Sequence, residues 1–145
     1  RDKSQPSIDD LRDLADVLNV PLSILFGQTS SSSEEEGYIV RKSARRVIGS
    51  NSSGLKEELL SPDLTDDFEV VYSTFEPNSK LAKTQKRQTQ EVGYVISGSL
   101  VLNIDDKEFK VSEGDSFRIK GEAHSWANPF SEPCKIIWVI APPIY

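Results

Sequence analysis

Residues 85–128 decide the fold, and they read QKRQTQEVGYVISGSLVLNIDDKEFKVSEGDSFRIKGEAHSWAN. Short apolar runs such as Tyr94-Val95-Ile96 and Leu100-Val101-Leu102 alternate with turn residues at close spacing. Gly98 separates these two runs, and Asp105-Asp106 follows the second. Closely spaced short strands with turn signals between them are typical of antiparallel sandwiches and barrels. The stretch therefore predicts a mainly β domain.

Two motifs in this stretch resemble those of the cupins, whose fold is a double-sheet jelly roll. The segment from Glu91 to Gly98 is similar to the end of the first cupin motif, in which a metal-ligating Glu precedes Tyr-Val-Leu-x-Gly. The segment from Gly114 to Asn128 is similar to the second motif, with His124 at the ligand position and the Asn four residues later. The motifs occur in the right order and are joined by a hairpin of the right length. The resemblance implies a cupin jelly-roll β-barrel.

The resemblance also implies where metal ligands would lie. A metal-binding cupin presents two His residues two positions apart, then a Glu and a later His. Counting back from Glu91, the first two positions hold Gln85 and Arg87, and a slip of one residue would give Thr84 and Lys86. Neither pair contains a histidine, and the chain has one histidine in all. Two of the four ligands are therefore replaced.

The same positions predict a pocket for a small polar or anionic effector. A cation at Arg87 would repel a divalent metal, so we expect no catalytic metal cofactor, with Glu91 and His124 as weak candidate ligands. Arg87 can hold a carboxylate or phosphate bidentately, Glu91 can bind an amine, and His124 can donate or accept a hydrogen bond. Trp126 shares the strand face of His124 and would form a wall. The predicted effector-binding residues are Gln85, Arg87, Glu91, His124 and Trp126.

A purely structural interpretation of these side chains stays open. Glu91 and Arg87 could form an internal ion pair that remains from a lost metal site. His124 could be a core histidine that is hydrogen-bonded to Asn128. Strand alternation places Tyr94 on the face opposite Glu91, away from either arrangement.

Residues 1–27 have a helical pattern. Ser7 can cap a helix, and apolar side chains then recur at helical spacing, at Ile8, Leu11, Leu14, Ala15 and Leu18. The run from Pro6 to Phe26 resembles the last two helices of an XRE-type (λ-repressor-like) helix-turn-helix domain, whose recognition helix would lie upstream. The alternative is an ordinary amphipathic helix that packs on the barrel.

The rest of the N-terminal half contains a linker and the first strands. Residues 28–37 are rich in serine and glutamate, which predicts a solvated linker, so the cupin domain is assigned to residues 38–145. Strands are expected at 38–40 and 68–75. The basic residues of 41–46 are interpreted as solvent-facing positions of an edge strand, since lysines there discourage edge-to-edge pairing.

Composition and net charge restrict the classes of partner that the chain can bind. The chain has 145 residues, a formal net charge of −6 and one cysteine, Cys134. An acidic chain is a poor DNA binder by itself, because phosphate contacts need clustered Lys and Arg. A single cysteine excludes an internal disulfide, and no apolar run is long enough to span a membrane. We expect a cytoplasmic protein without membrane contacts.

Regulators that join a helix-turn-helix domain to a cupin form a known family, and the resemblance implies a transcriptional regulator of this kind. Its expected partners are DNA, a small-molecule effector and a second copy in a homodimer, and no enzyme activity is expected. The alternative is a mononuclear metal-dependent cupin enzyme, similar to an oxygenase or epoxidase. A third possibility is a dimerisation module with a filled barrel interior.

Overall fold

The computed structural model describes residues 13–14, 16–18, 34–48, 53–63 and 65–144. Within them lie a short 3-10 helix, Lys42–Ala44, and ten strands. The strands are β1 (Arg46–Val47), β2 (Leu55–Leu59), β3 (Glu69–Phe75), β4 (Ser79–Lys80), β5 (Gln90–Ser97), β6 (Ser99–Ile104), β7 (Lys107–Ser112), β8 (Ser116–Lys120), β9 (His124–Asn128) and β10 (Cys134–Ala141).

The strands form two antiparallel sheets. One has six strands in the order β1-β2-β3-β10-β5-β8, and the other has four in the order β4-β9-β6-β7. Strands that are distant in sequence are therefore neighbours, as with β3 and β10. This arrangement confirms the predicted mainly β, jelly-roll fold.

Alternation along the strands decides which side chains enter the interior. On β3, burial alternates strictly from Glu69 to Phe75, because successive side chains point to opposite faces of a sheet. One apolar cluster fills much of the space between the sheets, and its buried members are Phe75, Val95, Leu100, Leu102, Val111, Trp126, Cys134 and Ile136.

Left-handed residues make the tight turns between strands. Asp105 and Asp106 have φ of 52° and 65° and join β6 to β7, as a two-residue hairpin of the primed type requires. Asn78 has φ of 60°, and Asn is one of the few residues other than Gly that tolerate this region. The turn at Pro77-Asn78 therefore takes a left-handed conformation without a glycine.

The predicted strand at 38–40 is wrong. The backbone N–H groups of Tyr38 and Ile39 both donate to the Glu35 carbonyl at 2.9 Å, which closes a turn instead. Arg41 Nη2 lies 2.7 Å from Glu35 Oε2 across the same turn, and the hydrogen bond from Arg41 lowers the pKa of Glu35. The first strand is β1, at the edge of the six-stranded sheet. The basic stretch 41–46 therefore begins just before the 3-10 helix, and only Arg46 lies in an edge strand.

Most of the N-terminal prediction lies outside the described residues. Residues 13–14 and 16–18 are helical, and Leu14, Val17 and Leu18 are exposed there. Of the predicted linker, residues 34–37 belong to the turn described above. The helix-turn-helix resemblance and the domain boundaries stay predictions. In the part of the chain that the structure describes, no helix has the length and apolar character that a membrane span needs.

Candidate functional site

A cavity of about 200 Å³ opens between the inner faces of the two sheets. The six-stranded sheet contributes lining from β2, β3, β5, β8 and β10, and the four-stranded sheet contributes it from β6 and β9. The structure brings all five predicted effector-binding residues into this lining, namely Gln85, Arg87, Glu91, His124 and Trp126.

Backbone pairing fixes Gln85 beside His124. The Gln85 N–H donates to the His124 carbonyl and the His124 N–H donates to the Gln85 carbonyl, both at 2.8 Å. This two-bond bridge attaches the segment before β5 to the start of β9. Positions 39 residues apart in sequence thus become neighbours at the cavity wall.

The orientation of the His124 ring follows from a backbone contact. Nδ1 lies 3.0 Å from the Glu122 carbonyl oxygen, and a carbonyl can only accept, so Nδ1 carries the proton. In the neutral ring Nε2 is then the acceptor. The Glu122 carboxylate itself has a lowered pKa, mainly because the Lys120 backbone N–H donates to it. When its ring is neutral, His124 offers Nε2 as an acceptor.

The predicted alternative in which His124 bonds Asn128 is wrong. The Asn128 amide nitrogen donates to the Phe75 and Glu132 carbonyls at 3.0 Å each, and its oxygen accepts from the Phe130 N–H at 3.0 Å. Four residues of strand separate His124 from Asn128, which is roughly 13 Å. Asn128 instead ties the loop after β9 to the end of β3.

Glu91 and Arg87 form a loose pair at the cavity wall. Arg87 Nη1 lies 4.0 Å from Glu91 Oε2, and the Thr89 hydroxyl donates to the same oxygen at 2.7 Å. The Glu91 side chain is 4% exposed and that of Arg87 is 31% exposed. The internal ion pair considered above is therefore present as a long contact, and it lies on the cavity wall where a ligand could share both groups.

Trp126 forms an aromatic wall with Phe75. Their ring centroids are 4.7 Å apart at an interplanar angle of 71°, an edge-to-face contact. Trp126 is 8% exposed and lies on the same strand face as His124, as alternation predicts. Tyr94 is half exposed and points away from the cavity, also as expected.

The residues present do not fit a cupin metal centre. Of the four ligand positions only Glu91 and His124 hold metal-ligating side chains, while Gln85 and Arg87 occupy the other two. The Arg87 guanidinium lies beside the Glu91 carboxylate, where it would oppose a divalent cation. Among the described residues, no group of three or more His, Cys, Asp and Glu side chains is arranged to hold a metal ion.

Sequence reasoning missed four polar residues of the lining. Two of them are Ser53 and Ser125, and the other two are Glu57 on β2 and Ser73 on β3. Glu57 and Ser73 are cross-strand partners, and the Ser73 hydroxyl lies 3.5 Å from Glu57 Oε2. The sequence contained part of this information, because Ser73 lies between the inward-facing apolar residues Val71 and Phe75 on β3. A polar residue in such a row indicates either a hydrogen-bonded core site or a cavity.

Comparison with known proteins agrees with this architecture. Residues 71–140 match the family model for the cupin domain, Cupin_2. The chain therefore has the cupin fold. Its similarity to solved structures supports the same fold, with a TM-score of 0.62 and 19% identity to an RmlC-like cupin from Shewanella frigidimarina, over 72% of this chain and 90% of that one.

Two relatives are transcriptional regulators. The chain is 28% identical over 141 residues to the HTH-type transcriptional regulator PuuR of Escherichia coli, covering 94% of this chain and 74% of that protein. The cupin domain of an XRE family transcriptional regulator from Enterobacter cloacae has a TM-score of 0.55 and 24% identity, over 62% of this chain and 98% of that structure. The cupin domain of this chain is thus similar to proteins named as regulators.

Proposed function

We propose that this protein is a DNA-binding transcriptional regulator whose cupin domain senses a small polar effector. The observation that carries the proposal is the cavity in which Arg87, Glu91 and His124 meet although two metal-ligand positions are replaced. The match to PuuR covers 94% of the chain, so it extends well before residue 71, into the region that resembles a helix-turn-helix domain. Such a regulator would act in the cytoplasm, as a homodimer that presents two DNA-binding heads.

The lining favours an effector that carries hydrogen-bond donors as well as acceptors. Carboxylates of Glu57 and Glu91 and the Nε2 of His124 are acceptors, while Arg87 is the cation of the described lining. An anionic group can bind Arg87 bidentately but must share it with Glu91. A positively charged or hydroxylated group finds more hydrogen-bond partners in the lining than an anionic group does. The cavity is below the usual size for drug-like ligands, so the effector is a small molecule.

The route from the cavity to the N-terminal region runs through the edge of the six-stranded sheet. Glu57 lines the cavity from β2, and its carbonyl accepts the Ile48 N–H at 2.8 Å. Ile48 follows β1, which pairs with β2 and continues from the 34–45 segment. An effector that moves β2 would bias the placement of the DNA-binding head, which is the differential contact that regulation needs.

Calorimetry with mutant proteins tests the effector site. Monocarboxylates, monoamines and amino acids are first screened by their effect on thermal unfolding, because a ligand that binds the folded state raises its stability. For a hit that carries a carboxylate we expect Arg87→Ala to weaken binding at least roughly tenfold, and for a hit that donates a hydrogen bond we expect the same of His124→Ala, because each variant removes the polar partner of that group. Arg118→Ala, an exposed arginine outside the cavity, is the matched control and should bind like wild type.

The outcome that removes this assignment is unchanged binding in both cavity variants. Elemental analysis of the purified protein addresses the enzyme alternative. We propose binding without turnover, so stoichiometric iron, nickel or manganese would contradict the sensor and favour a metal-dependent cupin enzyme. The purely structural alternative needs a filled interior, and the polar cavity argues against it.

A further inference from the structure

We propose that the open edge between the two sheets is a second binding site, for a small amphipathic anion. A cavity of about 460 Å³ lies there, and we call it the edge groove. It separates β7, at the edge of the four-stranded sheet, from β8, at the edge of the six-stranded sheet. Its volume is within the usual range for ligand pockets. Its apolar lining consists of Leu102, Ile104, Phe109, Val111 and Phe117.

Phe109 shows that the edge groove exposes a surface of interior type. It is the cross-strand partner of Leu102, and alternation places it on the same face of β7 as Val111. Val111 is 8% exposed, as an inward position should be, whereas Phe109 is 47% exposed. The two sheets therefore leave an inward-facing aromatic ring partly uncovered. An apolar tail that covers this ring gains the free energy of its burial.

The ring of Phe117 leaves the edge groove open. A Cβ at Gly93 would lie 2.3 Å from Phe117 Cζ, so the glycine gives the ring room to lie over β5. The ring then meets Trp138 of β10 edge to face, with centroids 5.1 Å apart. Phe117 is thus directed across its own sheet and not towards β7, which keeps the space between the two edge strands open.

The outer edge of β8 supplies hydrogen-bond donors to the groove. The Val95 N–H donates to the Asp115 carbonyl at 2.9 Å. The adjacent pair, Tyr94 and Ser116, is therefore a non-hydrogen-bonded pair of the antiparallel ladder. The N–H groups of Ser116 and, two residues later, of Arg118 point away from β5 as a result. Within the described part of the chain no strand lies on that side of β8, so both N–H groups can donate to an acceptor on a ligand.

The charges at the edge groove favour an anionic head over a cationic one. Its lining contains two cations, Lys110 on β7 and Arg118 on β8, and one carboxylate, Asp115. Asp115 Oδ2 already accepts the Ser112 N–H at 2.8 Å, so that oxygen is engaged in the turn between the strands. A carboxylate head at β8 can bind the Arg118 guanidinium bidentately and accept from the edge N–H groups of the same strand. The ligand that this arrangement fits is a monocarboxylate with an apolar tail.

The edge groove is separate from the effector cavity, and it does not rest on the proposed function. Among the described residues, Leu102 is the one member that the two linings share. The edge-to-face pair of Phe117 and Trp138 lies between them, since Phe117 lines the groove and Trp138 lines the cavity. A protein that binds a tailed carboxylate in the groove but no polar effector would keep this site and lose the proposed sensor.

Calorimetry of the 145-residue chain with three probes tests the class of ligand. We expect decanoate to bind with a dissociation constant below roughly 1 mM, because its tail covers the apolar lining. Octanoate has a shorter tail and should bind at least roughly fivefold more weakly. Decyltrimethylammonium has the tail of decanoate length with a cationic head, and it should bind at least roughly tenfold more weakly than decanoate. Equal binding of the anion and the cation would overturn the proposal.

A charge in the apolar lining tests the location. Phe109→Asp should weaken decanoate binding at least roughly tenfold, because the new carboxylate lies beside the tail and repels the head. The matched control is Tyr94→Asp, at an aromatic residue that is 50% exposed on β5 and outside the groove, and it should bind like wild type. Circular dichroism confirms folding, and Phe109→Ala repeats the test without a charge. Loss of binding in both Asp variants, or in neither, would contradict the location and with it the proposal.

Removal of the cation at β8 tests the polar end of the groove. Arg118→Ala should weaken decanoate binding at least roughly fivefold and should not weaken decyltrimethylammonium binding, because only the anion uses the guanidinium. Lys56→Ala, at an exposed lysine of β2 outside the groove, is the matched control. Decanoate that responds to Arg87→Ala and not to Arg118→Ala occupies the effector cavity. That result, or the absence of decanoate binding at roughly 1 mM, would leave the edge groove without its ligand and refute the proposal.

Discussion

Two parts of the barrel interior are built on the same strands but differ in chemistry. The apolar part contains Val95, Leu100 and Ile136, all with 0% exposure. The cavity part contains Glu91 and His124, which are also buried but are polar. On β5 a shift of four residues leads from Glu91 to Val95, on the same face of one strand. The difference teaches that a packed apolar core and a polar cavity can share a single layer of side chains.

The division has an energetic reason. Apolar side chains that interdigitate contribute roughly 25 cal/mol for each Å² removed from water, so the apolar part can hold the two sheets together. A buried carboxylate costs free energy unless it is hydrogen-bonded or paired, and Glu91 has only Thr89 and a distant Arg87 in the described structure. The cavity part therefore adds little to stability.

The largest expected effect is the difference in stability loss between a mutation in the apolar part and one in the cavity part. Ile136→Ala should lower the free energy of unfolding by about 2–5 kcal/mol, because it leaves a void in a fully buried site. Glu91→Gln keeps the volume and the acceptor for Thr89 and loses only a long ion pair, so it should change stability by about 1 kcal/mol or less. Urea denaturation of both variants measures the difference. Equal losses would mean that the cavity part supports the fold as strongly as the apolar part.

A smaller effect is expected at the turn that closes the apolar part. Gly98 and Gly114 both have left-handed φ, of 80° and 90°, but a Cβ at Gly98 would lie 2.3 Å from the Pro133 carbonyl oxygen, whereas one at Gly114 meets nothing within 4 Å. Both Ala variants are strained by φ. Gly98→Ala should cost about 1–3 kcal/mol more than Gly114→Ala, because backbone must also move. Thermal unfolding of the two variants measures this difference. Similar melting temperatures would show that the backbone at the β5–β6 turn shifts at little cost in free energy.

The smallest expected effect is a pH dependence at Cys134. Burial raises the pKa of this thiol from 9.0 to about 11. Between these values the unfolded chain loses the thiol proton while the folded chain keeps it, so stability is full below pH 9 and falls as pH rises towards 11. At pH 10 the loss is about 1.4 kcal/mol. Unfolding of wild type and Cys134→Ala at pH 8 and pH 10 isolates this contribution. A parallel decline in both proteins would indicate that Cys134 is reached by solvent in the folded state.

The sequence was informative wherever neighbours along the chain decide the outcome. Alternation and turn residues in 85–128 were sufficient to predict the strands from β5 to β9 and a turn at Asp105-Asp106, and the structure adds that this turn is left-handed. The cupin motif spacing predicted that Gln85, Arg87, Glu91 and His124 share one site. The structure places them in one cavity. Their role in binding remains a prediction.

Other features depended on contacts between distant strands. Glu57 and Ser73 reach the cavity only because β2 and β3 lie in the same sheet as β10 and β5. One local contact was also missed, since the Glu35 carbonyl accepts the N–H groups of Tyr38 and Ile39 where a strand was predicted. Local sequence determines strand identity and side-chain alternation because those depend on adjacent residues. Sheet order and register decide which faces meet, and that requires the whole folded chain.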